Sequence, residues 1–281
     1  MTKIADLKGM RELLVVVAFL LGGVVQAQES TASFFDHDHA AWNALLQEHV
    51  HEAGLVDYVG LQEKRASFDA YLGTLQQVKA KDFAKWTGLQ REAFWINAYN
   101  AYTIQLILDN YPVDSIKDMG GLFSSVFSKR FIPLQHLVAV DRRAEASRTK
   151  ALSLGEVEHE ILFPISRTPL FHFAIVCASI SCPELRKEAY TASKLDEQLA
   201  DQARVFLRDP SKNEQKVARK RLYMSKIFDW SEDEFETYPG GIRKIWRDFG
   251  PTSAVEDPGF PKAKIKYLNY DWSLNAWLPK D

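Results

Sequence analysis

A chain of 281 residues, 46% hydrophobic and 26% charged, is long and apolar enough to bury an ordinary globular core. Its formal charge of −2, with acidic and basic residues interspersed, argues against a nucleic-acid partner. Two cysteines are too few for a disulfide scaffold.

The first segment reads as a secretory signal. Lys3, Lys8 and Arg11 form a positive start, Leu13 to Leu21 an unbroken apolar run, and Val25-Gln26-Ala27 a small-x-small cleavage site. The apolar run is short for a membrane span. Residues 1–27 are therefore expected to be a signal peptide, and 28–281 a single domain of a periplasmic or secreted protein with no membrane contact after cleavage. An uncleaved anchor is the alternative. In an oxidising compartment the two thiols could pair with each other.

Asp36–Glu52 carries Trp42, Leu45, Leu46 and Val50 at helical spacing, with Asp36 as a candidate N-cap. A short extended piece, Leu55–Val59, precedes a second helix over Leu61–Val78. The longest helix is expected over residues 89–110, its apolar face built from Phe94, Trp95, Ala98, Tyr102, Leu106 and Ile107, with Pro112 stopping it. Arg130–Val140 alternates as one or two strands would. Ser153 and Glu156 form a capping box ahead of a helix to Leu162.

His172–Ser179 is a compact apolar run that reads as a buried strand, and Pro183 suits the first position of a following helix. Another helix is expected from Leu195 to Leu207, strands at Arg221–Met224 and Lys264–Tyr270, and a helix over Gly241–Phe249. Helices dominate and strands are scattered. The fold class is α+β: one helix-rich domain with a small, mostly antiparallel sheet.

Cys182 and His172 are the strongest chemical pair. At the start of a helix the Cys182 thiol would feel unpaired N–H groups that lower its pKa. A catalytic cysteine also needs a nearby imidazole and a group to orient it. Glu158, on the preceding helix, is the candidate orienter. The competing reading is a buried structural histidine and an inert or disulfide-bonded cysteine. Cys177, five residues from His172 on a strand, would face the other way and be a small core residue.

Asn97 and Asn100 share one helix face amid aromatics, either as a buried amide network pinning loop backbone or as pocket lining and oxyanion donors. His37, His39, His49 and His51 do not share one helical face, so no metal site is expected.

Together, FDHDHAAWNALL, GLVDYVGL, REAFWINAYNAYTIQLIL, SLGEVEHEIL, HFAIVCASISCPELR and SKIFDW resemble the DUF547 family, in the family's order from Phe35 to Trp230. That domain looks like a rearranged relative of the papain-like cysteine peptidase and transglutaminase group. The resemblance implies a cysteine-peptidase-like fold and a Glu158, His172, Cys182 constellation, and draws attention to Asn97 and Asn100. Phe163 and Leu170 stand where the family usually has arginines, and Ser231 follows Trp230 where a tyrosine is usual. A role for those arginines in binding an anion or clamping a loop is thereby in doubt in this chain.

The expected function is a thiol-dependent hydrolase or acyltransferase acting on an amide or acyl bond in the cell envelope, with a peptide-like or small amide substrate and no cofactor. The alternative is a non-catalytic periplasmic binding or scaffold module on a papain-like fold. A redox role fits less well, because four residues separate the cysteines and no thioredoxin-like pattern surrounds them.

Overall fold

The computed structural model describes residues 35–279 apart from 122–124, 142–149, 215–217 and 219, all in one compact unit, Phe35–Asp281. The expected signal peptide lies outside the described residues. Among the described residues no helix is long and apolar enough to cross a membrane.

The Gly88–Leu108 helix is the axis of the core. Thr87 and Gln90 close a capping box at its start: Thr87 Oγ1 accepts from the Gln90 N–H (3.2 Å), and Gln90 Oε1 from the Thr87 N–H (2.9 Å). Two N–H groups that a helix start leaves unpaired are thus satisfied. Phe94, Trp95, Ile96, Tyr102, Ile104 and Ile107 are all fully buried, so the helix is apolar around most of its circumference and must be surrounded. The Ala40–His49 and Arg65–Gln76 helices pack on each other, and the latter on the long helix.

The architecture is helix-rich α+β, as expected, but strand structure is sparser than the sequence suggested. Among the described residues there are two two-stranded sheets. β1 (Arg130–Ile132) pairs with β2 (Leu152–Ser153) antiparallel, and β3 (Arg221–Met224) pairs with β4 (Lys264–Tyr267) parallel, so the strands are not mostly antiparallel. The alternating run after β1 is a helix, Gln135–Asp141, and the expected Leu61–Val78 helix is two, Tyr58–Glu63 and Arg65–Gln76.

The largest correction concerns residues 169–190. Pro169–Phe173 is a 3₁₀ helix, the run after it is buried but irregular, and no helix starts at Pro183; the next is Leu195–Arg208. Buried backbone needs hydrogen-bond partners, and here side chains supply them in place of a neighbouring strand. Asn100 donates to the Ala174 carbonyl (2.9 Å) and accepts from the Val176 N–H (2.9 Å). Asn97 donates to the Tyr190 carbonyl (2.7 Å) and accepts from the Tyr190 N–H (3.0 Å). Gln198 and Gln202 hold the Ala189 and Glu184 carbonyls.

The loop from Cys177 to Cys182 is fastened from its other side by the C-terminal segment. Ile180 donates to the Ser273 carbonyl (2.9 Å), Ser181 to that of Asp271 (3.2 Å), and Asn275 to that of Ala178 (3.2 Å). Ala178 turns the loop with φ of 55°, unusual for a residue with a Cβ. Gly54, at φ of 66°, lies so close that a Cβ on it would sit 2.7 Å from the Glu184 backbone. Only glycine permits both that angle and that approach.

Candidate active site

A cavity of about 590 Å³ gathers most of the chemistry-bearing residues. Glu158, His159, His172, Cys177, Cys182 and Tyr270 all line it, with Tyr99, Trp230 and Trp272 among its aromatic walls. The Ser153–Glu156 capping box forms as expected, Glu156 donating to Ser153 Oγ (3.2 Å) and accepting from the Ser153 N–H (2.9 Å). The helix it starts, Glu156–Leu162, has the wide π form, a feature frequent at functional sites, and carries Glu158 and His159.

His172 sits on the Pro169–Phe173 turn, its ring between those of Phe171 and Phe235 (centroids 4.2 and 4.9 Å away). Both of its nitrogens are taken by carboxylates. Nδ1 donates to Glu158 Oε1 (3.0 Å) and Nε2 to Glu234 Oε2 (2.7 Å). Tyr99 OH donates to Glu158 Oε2 (3.3 Å), and His159 Nδ1 to Glu234 Oε1 (2.7 Å). The result is one chain of hydrogen bonds: Tyr99, Glu158, His172, Glu234, His159.

The charges in this chain support one another. Burial alone would lower the His172 pKa, but the bonds to Glu158 and Glu234 outweigh it and hold the imidazole above its ordinary value. The bond to Glu234 likewise raises His159. Burial opposes ionisation of Glu234, yet the bonds from His159 and His172 bring it down to about 2. The bonds thus favour the charged forms of His172, His159 and Glu234, with His159 at the more exposed end.

Glu158 and His172 are therefore brought together, while Cys182 is hydrogen-bonded elsewhere. Its sulfur accepts from the Cys177 N–H (2.8 Å) and from the Cys177 thiol (2.9 Å). Cys182 is at no helix start, so the dipole argument for its activation does not apply. Cys177 is buried in the core, as expected, but it is not turned away from the site. Its sulfur lines the cavity, 3.0 Å from Ser179 Oγ and 3.1 Å from Tyr270 OH. The left-handed turn at Ala178 is what folds the two sulfurs onto each other, where a strand would have set residue 177 on the opposite face.

The two thiols titrate as a pair. Burial opposes ionisation of Cys177, but once it loses its proton the Cys182 thiol, Ser179 and Tyr270 can all donate to it, and together they lower its pKa. Cys182, buried and beside that charge, is pushed well above the ordinary thiol value.

Asn97 and Asn100 are fully buried and spend their amides on loop backbone, the structural one of their two expected roles. Leu170 is buried in the 3₁₀ turn and Phe163 packs against the core. The four N-terminal histidines are dispersed. His37 meets Trp86, His39 bonds Tyr71 OH (2.8 Å), His49 faces Asp57, and His51 stacks on Trp277. Among the described residues no group of three or more His, Cys, Asp or Glu side chains is placed to hold a metal ion.

Sequence reasoning missed His159, Glu234, Ser179 and Tyr270. His159 was within reach, as the neighbour of Glu158 in EVEHEIL. Glu234 lies in a short acidic helix, Glu232–Phe235, that carries no chemical signature.

Residues 83–207 match a family model described as "Protein of unknown function, DUF547". The match includes Asn97, Asn100, Glu158, His159, His172 and both cysteines; Glu234, Tyr270 and the tryptophans at 230 and 272 follow it. No curated protein and no solved structure matches the chain.

Proposed function

We propose that this chain, whose residues 83–207 match the DUF547 family model, is a thiol-dependent hydrolase or acyltransferase of the cell envelope, with the cavity as its active site. One observation carries the reading. A thiol with a lowered pKa, Cys177, lines the same cavity as a histidine-carboxylate chain ending in an imidazole with a raised one, His159. A thiolate nucleophile and a protonated acid are the two groups that acyl transfer from an amide or ester requires.

In the proposed reaction the Cys177 thiolate attacks the carbonyl carbon of a small amide, ester or peptide-like substrate. The carbon–nitrogen or carbon–oxygen bond breaks, and His159 gives its proton to the leaving group. Water, or an acceptor amine, then attacks the thioester, His159 takes up the proton released, and Cys177 is regenerated. His172, held by two carboxylates, fixes the positions of Glu158 and Glu234 and so of His159; it is a positioning residue in this scheme. Cys182 can donate a hydrogen bond to the Cys177 thiolate once it forms.

The test is a burst experiment on reduced full-length protein with a p-nitrophenyl ester. The expected result is a burst equal to the protein concentration, with an acyl group on Cys177 by mass spectrometry of the trapped intermediate. Cys177→Ala should abolish the burst. Absence of both burst and acyl adduct across esters of different acyl chains would sink the reading.

A second reading is a non-catalytic binding module. It is favoured by the loss of both His172 nitrogens to carboxylates, which leaves no lone pair there to activate a thiol. A protein that binds a small ligand, reported by fluorescence of the cavity tryptophans, but acylates on neither cysteine would fit this reading.

A further inference from the structure

The Cys177 and Cys182 sulfurs lie 2.9 Å apart as free thiols, inside a cavity and on a loop fastened along its length. Sulfur atoms in a disulfide are about 2.05 Å apart, so closing the bond requires a movement of under about 1 Å. The loop already brings the side chains together through the left-handed turn at Ala178. Such a turn in a residue with a Cβ is strained, and the surrounding contacts must offset that strain. Here they do so through the bonds from Ile180, Ser181 and Asn275 along the C-terminal segment.

We propose that Cys177 and Cys182 are a reversible dithiol–disulfide couple that exchanges with small organic disulfides entering the cavity. The chain thereby has an oxidoreductase activity distinct from acyl transfer. The Cys177 thiolate attacks one sulfur of the incoming disulfide, forming a mixed disulfide and releasing the first thiolate. Cys182 then gives up its proton to that thiolate or to water and attacks the Cys177 sulfur. The mixed bond breaks and the second thiolate leaves. Two protein thiols and one disulfide become one protein disulfide and two small thiols, so two electrons pass to the incoming molecule.

The hydrogen bonds support the order of attack. Ser179 and Tyr270 hydroxyls stand beside Cys177 and can stabilise its thiolate, the form that attacks. Cys182, whose proton is held by burial beside the Cys177 charge, suits the resolving position: its barrier falls once Cys177 is capped and that charge is gone. In the oxidised state neither sulfur is a nucleophile, so acyl transfer at Cys177 would be switched off. The exchange itself needs no acyl chemistry.

The experiment uses full-length reduced protein and excess 2-hydroxyethyl disulfide, a neutral disulfide small enough for the cavity. Remaining thiols are alkylated in denaturant and the intact mass is measured. The expected mass is that of the protein less two hydrogens, without adduct or alkylation, and dithiothreitol restores two alkylatable cysteines. Recovery of two free thiols, or of retained mercaptoethanol adducts, overturns the couple. Cys182→Ser and Cys177→Ser, checked for native circular dichroism, should each retain one adduct. Cys182→Ser should acquire it about tenfold faster, because only it keeps the activated sulfur; the reverse order overturns Cys177 as the attacking residue. Neither readout involves an ester, so this test and the burst experiment fail independently.

Discussion

Glu234 holds His172 Nε2 at 2.7 Å, while Glu158 holds Nδ1 at 3.0 Å. A histidine that activates a thiol keeps one nitrogen on a carboxylate and offers the other to sulfur. His172 gives both away, and the second carboxylate comes from a short helix, 62 residues downstream. The imidazole has no free nitrogen left for a thiol, so proton chemistry moves outward to His159, whose other ring nitrogen has no protein partner among the described residues.

Replacing Glu234 with glutamine should lower the pKa of both histidines, because each is raised in part by its bond to this carboxylate. The shift is downward for both, because each loses a charged partner at hydrogen-bond distance. Imidazole resonances followed by NMR across pH would show it. If both titrate unchanged, the network does not set their protonation.

The same groups predict how stability depends on pH. Glu234 has a folded pKa of about 2 against an ordinary 4.5, so its contribution is full above 4.5 and is lost as pH falls toward 2. His172 and His159 are raised above 6.5, so theirs is full below 6.5 and is lost as pH rises through the folded values. Urea unfolding midpoints should therefore be highest between about pH 4.5 and 6.5 on account of this network. Glu234→Gln should flatten the acid side and shrink the alkaline one, removing about 1–2 kcal/mol after allowance for the solvent that reaches the carboxylate. Parallel wild-type and variant curves at every pH would contradict this.

Asn97→Ala and Asn100→Ala should each destabilise the fold by about 2–4 kcal/mol, since each strands a buried carbonyl and a buried N–H. Asn100→Asp should do little better, because a carboxylate cannot donate to the Ala174 carbonyl. Urea denaturation measures the loss. A cost below about 1 kcal/mol would mean that water replaces the amides.

These asparagines also show what the sequence made legible. Two of them three apart among aromatics marked a buried amide network, and the apolar run His172–Ser179 marked buried chain. What the run could not show was its partner. Residues 174–190 are held by side-chain amides from 97, 100, 198 and 202 and by backbone near 273, so local pattern read them as strand and helix. The same hidden contacts decide the site. A strand would separate Cys177 from His172, and a helix at Pro183 would activate Cys182. The turn at Ala178 does neither; it puts Cys177 in the cavity. Glu158, His172 and Cys182 were found by chemical type, whereas Glu234 and Tyr270 come from distant segments with no motif to announce them.

Tyr270→Phe gives the sharpest test of the thiol pair, since it removes one hydroxyl and keeps the ring packed against Trp230 and Trp272. The hydroxyl lowers the Cys177 pKa by donating to its thiolate, so losing it should raise that pKa. Ser179 Oγ, which also bonds Tyr270 OH at 3.2 Å, is freed to compensate in part. The single variant should therefore slow iodoacetamide labelling of Cys177 near neutral pH by about threefold, and Tyr270→Phe with Ser179→Ala by about tenfold or more. The labelling profile should move to higher pH without a change in its plateau, which separates a raised pKa from a blocked cavity. A lowered plateau at unchanged midpoint would show instead that Tyr270 acts on access, and that the thiolate is stabilised by Cys182 and Ser179 without it.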